Sequence, residues 1–187
     1  MKVVVGLGNP GPEYDDTRHN VGWWLLDRAA YEWGFPPFEK GDQTLATGGS
    51  LGSQSVRLLK PTTYMNRSGA ALAPLRFFTD FDVAEDLLVV VDDAALDVGR
   101  VRFRAGGSPG GHRGLESVSG ALDTRGFSRL RIGVGQSPGG IDLSDWVLAP
   151  MSAEDEEEVL GLLPHLVQGV RLWIEEGIDA AMNRFNR

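Results

Sequence analysis

The sequence predicts an α/β fold of three layers, a twisted mixed β-sheet with helices on both faces. Three observations lead there. Short apolar runs bounded by turn residues alternate with segments of helical period. A hairpin pattern near the middle of the N-terminal half adds antiparallel pairing to an otherwise parallel sheet. The length suits one domain with a sizeable core, and no linker, repeat or low-complexity segment divides residues 1–187.

Lys2–Leu7 reads as a buried strand because Val3, Val4 and Val5 run together before a glycine turn. Asn20–Trp33 reads as a helix with Val21, Trp24, Leu25 and Ala29 at helical spacing and Asn20 as its cap. Residues 43–49 and 54–60 form the hairpin around Leu51-Gly52-Ser53. Gly69–Phe78 reads as helical, Asp86–Val91 as a buried strand and Arg100–Arg104 as a more polar strand. A glycine-rich loop spans Gly106–Gly111, followed by a helix over Gly114–Leu122 and a strand over Leu130–Val134. Ser152 and Asp155 open a long acidic helix whose apolar stripe includes Val159, Leu163, Leu166, Val170 and Trp173. Pro164 is expected to kink or divide it. Residues 177–186 suit one more short helix.

Composition excludes several function classes. The chain has no cysteine, which removes disulfides and thiol catalysis and fits a reducing cytosol. No basic segment with a long apolar stretch opens it, and no apolar run approaches transmembrane length, so a cytoplasmic location without a membrane is expected. The three histidines, His19, His112 and His165, show no zinc-ligand spacing, so no metal is expected. The net charge of −8 is unevenly spread. Residues 79–99 hold seven acids and no Lys or Arg, whereas 100–135 hold seven arginines against two acids. That block reads either as a solvated surface or as a basic patch for nucleic acid.

Gly6-Leu7-Gly8-Asn9-Pro10-Gly11 satisfies the dinucleotide fingerprint Gly-x-Gly-x-x-Gly. Its context does not. Pro10 and Pro12 remove N–H groups that a pyrophosphate needs, and the helix waits until about Asn20. No cofactor is therefore expected, although a dinucleotide-binding oxidoreductase stays an alternative.

Four side chains could meet beyond the carboxyl ends of strands, if those strands run parallel. His19 is a general-base candidate because imidazole titrates near neutral pH. Asp92 is the carboxylate that would orient it and fix its tautomer. Asn66 and Asn9 are carboxamides, and a carboxamide can accept from water while donating to a carbonyl oxygen. Ester hydrolysis needs both. Structural alternatives exist for each: a hydrogen-bonded loop histidine, a capping aspartate, turn-forming asparagines. Arg100, Arg102 and Arg104 alternate and so share one strand face.

Gly6-Leu-Gly-Asn-Pro-Gly-Pro-Glu-Tyr-Asp-Asp-Thr-Arg-His-Asn20 resembles the opening of bacterial peptidyl-tRNA hydrolases, with every fixed position of their pattern present. Pro61-Thr-Thr-Tyr-Met-Asn-Arg-Ser-Gly69 is similar to a second block of that family, and Gly106-Gly-Ser-Pro-Gly-Gly-His-Arg-Gly-Leu115 to a third. The resemblance implies hydrolysis of the ester of peptidyl-tRNA with water activated by His19, and the acceptor stem and 3′ end as partner of a monomer. It assigns catalysis to His19, Asp92, Asn66 and Asn9. It assigns tRNA and substrate binding to Tyr14, Tyr64, Asn66, His112, Arg113, Arg102 and Arg104. Two departures stand out: the family's asparagine after its loop histidine is Arg113 here, and the second acid of its Asp-[Asp/Glu]-Leu-Asp-Leu block is Ala95. A catalytically silent RNA-binding relative, such as the intron-splicing factors of chloroplasts, is the other alternative.

Overall fold

The computed structural model describes residues 1–186. Its centre is a seven-stranded sheet in the order β2-β3-β4-β1-β5-β7-β6. The strands are β1 (Lys2–Gly6), β2 (Glu39–Lys40), β3 (Thr44–Leu51), β4 (Gln54–Pro61), β5 (Leu87–Asp93), β6 (Val101–Arg104) and β7 (Ser128–Gly133). Strands β4, β1, β5 and β7 run parallel. The edge strands reverse: β3 against β4, β2 against β3, and β6 against β7. The central strands are nearly continuous apolar runs because both of their faces are covered.

Alternation along β1 shows how one strand feeds two cores. Val3 and Val5 pack with Leu72, Leu115 and Val118, while Val4 packs with Val21, Leu25, Leu166 and Trp173. One layer is therefore α1 (Val21–Glu32), α6 (Ala153–Glu176) and α7 (Ile178–Phe185), and the other is α2 (Ser68–Leu72) and α4 (Arg113–Leu122). Two short helices complete the chain, α3 (Val83–Asp86) and α5 (Leu143–Val147). Close approach of α1 to the sheet depends on glycine. A Cβ on Gly22 would lie 2.7 Å from the Val90 carbonyl oxygen.

Several boundaries differ from expectation. Asp92 lies within β5, which pairs with β7 through Asp93, and not just beyond it. The helix expected over Gly69–Phe78 is α2 followed by a 3₁₀ turn over Ala73–Phe77, because Pro74 cannot donate to a continuing α-helix. Asn20 makes no side-chain cap. The Ser68 hydroxyl at the start of α2 donates to the Met65 carbonyl. Pro164 does not divide α6. The carbonyl it leaves without a helical partner belongs to Leu160, on the exposed side of the helix. The outer edge of β6 is covered by Asn186, whose side chain accepts from the Phe103 N–H and donates to its carbonyl.

Among the described residues no helix is long and apolar enough to cross a membrane.

Candidate active site

Parallel pairing of β4, β1 and β5 brings their carboxyl ends to one side of the sheet, and a cleft of about 990 Å³ opens there. Asn9 follows β1, Asn66 follows β4, and Asp92 is the penultimate residue of β5. All three line the cleft with His19, Tyr14, Tyr64, His112 and Arg113. Arg102 and Arg104 do not line it. They sit on the edge strand β6, opposite the buried Val101 and Phe103.

The histidine loop is clamped from below. Asn20, which is buried, accepts from the Asn9 N–H at 2.9 Å and donates to the Asn9 carbonyl at 3.0 Å. This pair locks the loop that carries His19 to the turn that carries Asn9. Asn9 then reaches the 3₁₀ turn that follows β4: its Oδ1 accepts from the Met65 N–H at 2.7 Å. The amide is thereby oriented, and Nδ2 remains as its donor.

Asp92 is the electrostatic centre. It is 2 % exposed, and its Oδ1 lies 2.7 Å from His19 Nδ1 and 2.9 Å from His112 Nε2. Burial alone would push this carboxyl up. The two imidazoles and their hydrogen bonds outweigh burial and hold it well below the usual carboxylate range. An ionised carboxylate only accepts, so both facing ring nitrogens carry hydrogens, as assigned from the partners. His19 Nδ1–H to Asp92 leaves Nε2 with its lone pair, and no described residue bonds it. His112 is locked more tightly. It is the N-cap of α4, where its Nδ1 accepts from the Leu115 N–H at 3.2 Å. Both of its ring nitrogens are engaged inside the protein, so the expected direct contact of His112 with tRNA has no free hydrogen-bonding atom to use.

His19, Asp92 and His112 are also ligand types for a metal, and their atoms lie within 4.8 Å of one another. The sequence spacing hid this cluster. The N-cap argues against an ion there. A metal on Nε2 would need the hydrogen on Nδ1, against the Leu115 N–H.

Around this centre the remaining groups divide. Tyr14 and Tyr64 stand edge to face with ring centroids 6.5 Å apart, and Tyr64 is 58 % exposed. Asn66 is exposed on a 3₁₀ turn over Met65–Arg67. Arg113 is the exposed first residue of α4, just past consecutive glycines with positive φ, Gly110 at 59° and Gly111 at 80°. Arg131 lines the cleft too, where it is held by the Ser108 carbonyl at 3.0 Å and by Asp93 at 3.5 Å. The loop that carries Ala95 is stable without a second acid, because Asp93 Oδ1 accepts from the Ala95 N–H. Arg129 is fully buried and donates to the carbonyls of Gly107 and Arg125, which ties down the glycine-rich loop.

Sequence reasoning missed the far wall. Leu143, Val147 and Leu148 line the cleft from α5 and its end. A readable signal existed: Asp142 is a residue type that opens helices, although its side chain makes no cap here, Leu143 and Val147 are four residues apart, and Pro150 follows.

Comparison with known proteins follows the same outline. The Peptidyl-tRNA hydrolase family matches residues 3–187. The Peptidyl-tRNA hydrolase of Gemmatimonas aurantiaca is 44% identical over 190 residues, covering 100% of both chains. That of Symbiobacterium thermophilum is 47% identical over 187 residues, covering 99% of this chain and 98% of its own. The crystal structure of peptidyl-tRNA hydrolase from Acinetobacter baumannii superposes with a TM-score of 0.92 at 33% identity, covering 100% of this chain and 94% of that one.

Proposed function

The chain belongs to the peptidyl-tRNA hydrolase family, and from that premise we propose how its cleft hydrolyses the ester of peptidyl-tRNA. The enzyme is a carboxylic ester hydrolase that separates a peptide from the terminal ribose of tRNA. His19 Nε2 takes a proton from water, and the water oxygen attacks the acyl carbon. Asp92 holds the productive tautomer and stabilises the imidazolium. The amide N–H groups of Asn66 and Asn9 stabilise the oxyanion. Collapse breaks the bond to the ribose oxygen, which takes the proton back from His19. The products are a free tRNA hydroxyl and a peptide carboxylic acid, which releases its proton to solvent at neutral pH.

The observation that supports this reading most is the 2.7 Å pair of His19 Nδ1 and Asp92 Oδ1, with Nε2 left over in a residue that lines the cleft. Tyr14 and Tyr64 offer a stacking surface for the terminal base. Arg113 at the cleft, with Arg102 and Arg104 on the edge strand, suits acceptor-stem phosphates. The chain works as one domain over 1–187, as a monomer in the cytoplasm, without a metal or cofactor. A catalytically silent RNA-binding relative would not need a buried carboxylate paired to a histidine base.

The test is incubation with N-acetyl-aminoacyl-tRNA and, separately, with the unblocked form. Release of tRNA from the blocked substrate is expected, with little from the free-amine form. Binding without turnover of either would favour the silent relative.

A further inference from the structure

Arg18 precedes the base by one residue and has no part in the chemistry above, yet it is 4 % exposed. Its Nε has no hydrogen-bond partner, no described carboxylate lies within ion-pair distance, and Asp155 acts on its charge only from further off. A guanidinium in such a place is unfavourable unless it holds something. What it holds is the far wall. Its Cζ lies 3.3 Å from the centroid of the Trp146 ring. Its Nη1 donates to the carbonyls of Trp146 at 3.0 Å and Ala149 at 3.2 Å. Its backbone N–H donates to the same Ala149 carbonyl, and Thr17 bridges to Pro150. Trp146 in turn donates to the Gly135 carbonyl, just past β7. The histidine loop is thus tied to Asn9 through Asn20 and to α5 through Arg18.

From the α5 segment, Leu143, Val147 and Leu148 face the cleft beside the polar Asp142 and Ser144. Leu143 and Leu148 are 53 % and 41 % exposed, so they are not there to fill this protein's own core. An aliphatic surface offers nothing to a phosphate and little to a base beside two tyrosines. It suits the aliphatic side chain of an acyl residue.

We propose that Arg18 is a positioning residue that fixes the wall of Leu143, Val147 and Leu148 relative to His19, and that this wall receives the side chain of the peptide's last residue. The proposal rests on the function above and adds to it an acyl-side specificity surface. A larger aliphatic residue bound to the wall would hold the ester carbon against the attacking water. A glycine would gain no such hold.

The experiment uses the full chain with N-acetyl-leucyl-tRNA and N-acetyl-glycyl-tRNA. The unaltered protein is expected to prefer the leucyl substrate in kcat/KM. Arg18→Met keeps the aliphatic stem and loses the ties. It should lower kcat by roughly 10–100-fold, since small misplacement of a reacting group is that costly. It should also erase the leucyl preference, while the affinity for uncharged tRNA and the acid limb of the pH profile stay in place. Arg18→Lys should recover part of the loss through its charge over Trp146. Leu143→Ser with Leu148→Ser changes only half-exposed side chains, so folding is not at stake. That variant should lower the leucyl preference by about 3–10-fold. An unchanged leucyl-to-glycyl ratio in the double serine variant would overturn the acyl wall. Full kcat in Arg18→Met, or a loss of melting temperature alone, would overturn the role of Arg18. Failure of the unaltered chain to turn over either substrate would instead overturn the hydrolase reading itself.

Discussion

Replacing Asp92 by Asn removes one charge from a site with no solvent to replace it. The carboxylate is 2 % exposed, the His19 side chain 12 % and the His112 side chain 9 %. One oxygen accepts two N–H groups, at 2.7 and 2.9 Å. A hydrogen bond to a charged group contributes about 1.5–3 kcal/mol, and a neutral acceptor gives roughly half that strength. The imidazolium of His19 then loses the other half, about 0.75–1.5 kcal/mol of preference. The acid limb of kcat/KM should therefore move to lower pH, because a lost anion disfavours the protonated ring. The rate should fall as well. If the new amide turns its NH₂ toward His19, the ring must accept at Nδ1, which puts the hydrogen on Nε2 and removes the base. A drop of about 10²–10⁴ in kcat is expected. Single-turnover hydrolysis of N-acetyl-aminoacyl-tRNA across pH 5–9 measures both effects. Stability gives an independent reading. Asp92 is held below its ordinary value of 3.8, so its contribution is complete above that pH and is lost as pH falls through the folded value. Urea unfolding should show the variant less stable than the unaltered protein at pH 7, and the difference should shrink on acidification below about pH 4. An acid limb that stays where it was would remove Asp92 from the mechanism.

Asn9→Ala leaves the buried Met65 N–H without an acceptor, which should cost about 1–3 kcal/mol in urea unfolding. It should also narrow the activity ratio between blocked and unblocked aminoacyl-tRNA, because Nδ2 can meet the carbonyl of an acylated amine; a wild-type ratio would leave Asn9 as a turn residue only. Arg102→Ala with Arg104→Ala should raise KM for full-length peptidyl-tRNA with kcat nearly unchanged. It should flatten the slope of log affinity against log salt by roughly 0.7–0.9 per lost contact. Equal damage to a minimal substrate that carries only the acylated 3′ end would show that these arginines do not meet the acceptor stem.

Much of this arrangement was legible because it rests on local pattern. The valine runs of β1 and β5 could only be strands buried on both faces, and glycine turns marked where they end. That sufficed to bring His19, Asn9, Asn66 and Asp92 toward one side of a sheet. What stayed hidden is held by tertiary contact. The turn of α5 offers only the four-residue spacing of Leu143 and Val147, and its stacking of Trp146 on Arg18 carries no sequence mark. The bond from His112 to Asp92 spans twenty residues without any sequence mark. Asn20 was read as a helix cap from its position, but the nearby Asn9 backbone offered two partners where a helix N-terminus offers one kind. Arg129 belongs to the arginine-rich block by count but is buried, and three backbone carbonyls make its burial tolerable.

The most direct measurement compares His19→Ala with the unaltered chain on N-acetyl-aminoacyl-tRNA, with the affinity for uncharged tRNA determined in parallel. Loss of the base should lower kcat by about 10²–10⁴. The affinity for uncharged tRNA should hold, because the proposed nucleotide contacts involve Tyr14, Tyr64 and the arginines and not His19. Near-normal turnover by His19→Ala would contradict the account at its centre.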